Sequence, residues 1–92
     1  MHFASLPGGD LVAQGLADLA RGVRSAPALL VAIGAPRLRE LGIEVPAASG
    51  ASPERALYEL LAERAGDAAH SQFNALIRRL VSFERALACA AR

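Results

Sequence analysis

With 92 residues and a net charge of +1, the chain is long enough for one domain and carries no bulk field that would draw it to nucleic acid or to an anionic membrane. Its single cysteine excludes an internal disulfide, and two histidines beside that cysteine are too few for an ordinary structural zinc site. The apolar share is 53% and the mean hydropathy +0.30, a surplus for so small an interior, so association with a second copy or with another protein is expected.

Residues 1–9, MHFASLPGG, read as a lead-in segment, because Pro7, Gly8 and Gly9 oppose regular structure. Phe3 and Leu6 are placed to tuck against the body, whereas His2 is expected to be a mobile side chain and not a ligand. There is no basic stretch of the kind that opens a signal peptide. The most apolar run, Ala26–Ala35, is ten residues, far short of the roughly 20 that cross a bilayer. No membrane partner and a cytoplasmic location are therefore expected.

The first predicted helix runs from about Asp10 to Arg21, with Asp10 capping its free amides and Gly22 ending it in a left-handed conformation. Val12, Leu16, Leu19 and Val23 mark its buried face, and Gly15 offers a place for another helix to approach closely. Ser25 is the expected cap of a second helix, with Pro27 in its first turn, where a missing amide is harmless. The run ALLVAI is apolar all round, which means burial or an interface. The run is on this basis the expected central element of the bundle or an oligomer contact, and in the second case Leu29, Leu30, Val31 and Ile33 are the expected contact residues. Gly34 is expected to stop that helix, and Pro36 to start a short third one, PRLREL, ended by Gly42.

Residues 43–52 form the expected connector, with Ile43 and Val45 packing on the body, Pro46 ending that piece, and flexibility from Ala47 to Ala51. Ser52-Pro53-Glu54 is a complete helix start, namely a hydroxyl cap, a proline at the first helical position and an acid in the first turn. The helix it opens reaches about Ala65, with Leu57, Leu60 and Leu61 inward, Tyr58 at the margin, and Glu59 and Glu63 outward. Gly66 closes it and Asp67 caps the last helix, so a C-terminal antiparallel helical hairpin is expected. The last helix, to Ala90, carries Phe73, Leu76, Leu80, Phe83, Leu87 and Ala90 on one stripe, with Arg78, Arg85 and Arg92 recurring every seven residues on the other side. The expected fold is an all-α bundle of four to five helices.

Four features could carry chemistry. Arg78, Arg79 and Arg85 form a ridge whose members a heptad apart lie about 10 Å apart along the helix, which suits phosphates, although no aromatic side chains between them stand ready to stack on bases. The two last helices around Gly66 resemble a helix-turn-helix in the Ala62–Gly66 spacing, but Asp67 and Gln72 are polar where such helices cross. Cys89 sits one turn from Arg85, a setting for either a small packing residue or a charged thiol. Arg64 and His70, with five residues between them, resemble in spacing the arginine–histidine pair of HEPN-type ribonucleases. That resemblance implies a phosphate-stabilising arginine and a proton-transferring histidine.

These observations favour a non-enzymatic interaction module or subunit, self-associating or docking a larger protein, with no cofactor. A nucleic-acid-binding regulator using the arginine ridge is the alternative, and a HEPN-like ribonuclease the third reading.

Overall fold

A computed structural model describes residues 5–47, 50 and 52–90. Every regular element among them is helical: α1 is Gly9–Ala20, α2 Ala26–Glu40, α3 Pro53–Ala65 and α4 Ala69–Ala90, with a 3-10 turn over Gly66–Ala68 before α4. The radius of gyration, 12.7 Å, is close to the roughly 12 Å a packed chain of this length should have, so a single copy closes on itself.

Helix α2 is the axle, packing on α1, α3 and α4. Its Ala28, Leu30, Val31 and Leu38 are completely buried, and Leu29 and Ala35 nearly so. This corrects the expected role of Leu29, Leu30 and Val31 as a docking surface. Neighbouring helices cover α2 on several sides, so the all-round apolar run is consumed inside one copy. Ile33, the fourth of that set, is partly buried against the core.

The expected break at Gly34 is also corrected. The helix runs through Gly34 and Pro36 without interruption, so the short separate helix at Pro36 does not exist. Proline there removes one rung of the hydrogen-bond ladder. Burial of Val31 and Ala35 before it and Leu38 after it holds both halves to the same body. Gly34 serves α4 instead: a Cβ at this position would lie 3.0 and 3.1 Å from the two methyl carbons of Leu80.

Local signals act as the residues dictate. Ser25 caps α2 by accepting a hydrogen bond from the amide of Ala28 (3.2 Å), and Ser52 caps α3 by accepting one from Arg55 (3.3 Å). Helix α1 ends with Gly22 at φ 74°, its amide donating to Leu19 and that of Val23 to Asp18, which satisfies the last carbonyls. At the other end the expected Asp10 cap is replaced. Gly8 occupies the cap position, and Asp10 lies in the first turn, paired at 3.3 Å with Arg79 of α4. Gly15 meets α2 so closely that a Cβ would run into the carbonyl oxygen of Pro27 and a methyl group of Val31.

Ile43 and Val45 are buried, closing the floor after α2. Of the stretch expected to be flexible, residues 48, 49 and 51 lie outside the described residues, as do His2, Phe3 and Arg92. Gly66 and Asp67 form the 3-10 turn, so Asp67 is within that turn and not the cap of α4. Across the turn the ring of Tyr58 lies 5.8 Å from that of Phe73. A straight helix would hold residues fifteen apart at about 22 Å; the chain therefore doubles back here.

Candidate functional site

The corner between α1 and α2 is built on Asp18, an acid on the face of α1 that sequence periodicity leaves outside. Its carboxylate accepts from Gln14 Nε2 (2.9 Å), from the Arg21 guanidinium (2.5 Å) and from the Ser25 hydroxyl (2.5 Å). Ser25 thus accepts from the backbone of α2 while donating to α1, and the two helices share one hydrogen-bonded joint. The Ser25 hydroxyl first, then Arg21 and Gln14, hold the Asp18 carboxyl below the usual carboxylate range against the opposing effect of burial. Asp18 is 5% exposed, but its cover is thin, since the Arg21 side chain over it is 65% exposed. The hydrogen bonds, not a low-dielectric core, are what set its acidity.

Beside this joint runs a groove of about 430 Å³. Leu19 and Val23 of α1 and its following turn form one wall, Ala28, Leu29, Ala32, Ala35 and Pro36 of α2 the floor, and Pro46, Ala47 and Pro53 the far side. Val23, expected in the core, is 44% exposed here, because the turn at Gly22 swings it off the helix face. The polar side chains in the lining are Arg24 and Arg39, with no acid among the lining residues. Arg39 donates to the carbonyl of Val45 at 2.9 Å. Arg24 reaches toward the connector, its Nη1 3.0 Å from where a Cβ on Gly50 would stand. Sequence periodicity does not reveal the groove, since Arg24 lies in a turn and Arg39 in the last turn of a helix expected to be separate.

The ridge on α4 is divided. Arg78, Arg79 and Arg85 are all exposed, but Arg79 is committed to Asp10. Arg78 and Arg85 form no ion pair among the described residues. On the acidic face of α3, Glu59 pairs with Arg55 of its own helix at 3.5 Å. Arg85 lines a shallow groove between α2 and α4 with Arg37, Val81, Glu84, Ala88 and Cys89. Burial pushes the Glu84 carboxyl above its ordinary range, and attraction to Arg37 partly offsets this. Cys89 is exposed.

At the α3–α4 turn, Arg64 and His70 are both exposed, with no hydrogen bond between them among the described residues. His70 Nε2 lies 3.2 Å from Asn74 Nδ2, which donates to it in the tautomer carrying its proton on Nδ1. The imidazole also stands edge-on to Tyr58 at 6.4 Å. Among the described residues no three His, Cys, Asp or Glu side chains gather to hold a metal ion, and no helix is long and apolar enough to cross a membrane. Comparison with family models, curated proteins and solved structures returns no match.

Proposed function

We propose that this chain is a non-enzymatic helical interaction module, working through self-association or by docking a larger protein. The supporting observation is the apolar surface left once the core is full. Leu6, Leu11, Leu16, Leu19, Ile33, Leu60, Phe73, Leu76 and Ile77 pack against the core yet stay only partly covered. Burying such residues on a partner adds about 25 cal/mol for each Å² of apolar area removed from water. The contact is therefore assigned to these margins and not to the buried run in α2. Light scattering over a dilution series tests self-association. A mass that rises with concentration supports it, whereas a constant monomer mass up to high concentration leaves only the docking of a different protein.

A second reading rests on Arg78 and Arg85, exposed on one helix and free of ion pairs among the described residues. In that reading the chain is a nucleic-acid-binding regulator. Titration with duplex DNA and with RNA at low and moderate salt separates the two, since phosphate binding weakens steeply as salt rises. Arg78→Gln with Arg85→Gln would then reduce the salt dependence.

A further inference from the structure

We propose that the groove along α2 binds an apolar molecule bearing a carboxylate, because its mostly apolar lining carries two guanidiniums, Arg24 and Arg39, and no acid. The site goes beyond the interaction reading and does not depend on self-association.

The size fits, as about 430 Å³ lies within the range of small-molecule sites. On the α2 side the accessible lining is Ala32 and Pro36, since Ala28, Leu29 and Ala35 beneath them are buried, so an apolar group would rest on small and compact side chains there. Charge decides the other half of the ligand. The whole chain is nearly neutral, and Arg21, Arg37, Arg55 and Arg79 are each paired with a carboxylate. Arg24 and Arg39 are not among those pairs. Arg39 has one nitrogen donating to the Val45 carbonyl and has other N–H groups left to donate. Arg24 is exposed and has no hydrogen-bond or ion-pair partner among the described residues, so both nitrogens of its fork are available to a carboxylate. A cationic amphiphile is repelled by both arginines, and a neutral one gains only a hydrogen bond without the charge. The ligand class is thus set by two independent features, a mostly apolar lining and an unmatched positive charge.

The test is a titration of the full-length chain, followed by amide NMR shifts, with octanoate, 1-octanol and acetate as probes. Octanoate is expected to saturate, with the largest shifts at Gly22, Val23, Arg24, Ala32 and Arg39. Octanol is expected to bind at least about tenfold more weakly, and Arg24→Gln to weaken octanoate by about tenfold or more, the worth of a charge-assisted hydrogen bond. Acetate should produce no saturating shift. Ala32→Leu fills the floor without changing charge and should also block octanoate, with the far-UV circular dichroism of both variants unchanged. Absence of saturation by octanoate, equal affinity for octanol, or unchanged binding in folded Arg24→Gln would each overturn the proposal. None of these results bears on self-association, which light scattering reads separately.

Discussion

At the scale of single residues, two carboxylates shape how stability responds to pH, in opposite directions. Asp18 has its acidity strengthened in the folded state, so its contribution is fully present above the ordinary carboxylate range and is lost as pH falls through the folded value. Urea denaturation between pH 3 and pH 7 should show stability falling at the acid end, and Asp18→Asn should flatten that fall while lowering stability at neutral pH. Glu84 behaves the other way. Burial raises its folded value, so stability declines as pH climbs from the unfolded value to the folded one, and the penalty is complete above it. Glu84→Gln should remove that decline and leave the protein at least as stable at pH 7. A variant less stable than the parent at pH 7 would mean that the attraction of Arg37 outweighs burial. The Asp18 joint was partly legible, since Gln14 four before, Arg21 three after and Ser25 beyond the turn are donors at helical spacing. An outward acid on an amphipathic helix is ordinarily solvated, however, and only the fold of the corner brings Ser25 back to it.

At the scale of elements, the ends at Gly22, Ser25 and Ser52 were readable, whereas the caps expected at Asp10 and Asp67 and the continuity of α2 were not. Ser25, Gly22 and the Ser52-Pro53-Glu54 start act through bonds within a few residues, so local sequence suffices to find them. Gly34 and Pro36 are local helix breakers overruled by tertiary burial of Val31, Ala35 and Leu38, a term that no local window contains. The role of Gly15 as a close-approach point was legible because glycine inside a helix otherwise has a propensity cost without return. Gly15→Ala would gain about 1 kcal/mol of helix propensity, but its methyl meets the backbone carbonyl of Pro27, which cannot move aside as a side chain can. With overpacking worth about 1–3 kcal/mol, urea denaturation should show a net loss of up to about 2 kcal/mol. Gly22→Ala has open space around it and should lose about 1 kcal/mol for a different reason, its left-handed φ of 74°. Stabilisation by Gly15→Ala would show that α1 and α2 sit farther apart than described.

For the whole molecule, the apolar surplus was legible but its destination was not. Composition shows that there is more grease than interior, yet cannot tell which helix is covered by its own chain and which is left for company. The all-round apolar run in α2 suits a central element or an interface equally and is the axle, whereas the partly covered residues are distributed over the margins of all the helices. Because Leu30 is fully enclosed, Leu30→Ala should cost about 2–5 kcal/mol, enough to unfold much of a domain whose stability is only a few kcal/mol. Ile33→Ala, at a partly covered site, should cost less; thermal melts of the two variants side by side give the comparison.

Amide hydrogen exchange at dilute and concentrated protein addresses the placement of α2 most directly. The amides of Leu29, Leu30 and Val31 should be among the slowest to exchange and equally slow at both concentrations, with any added protection confined to the partly covered margins of the helices. Fast exchange of those amides in dilute protein, slowing only on concentration, would mean that α2 is covered by a second copy and not by its own chain.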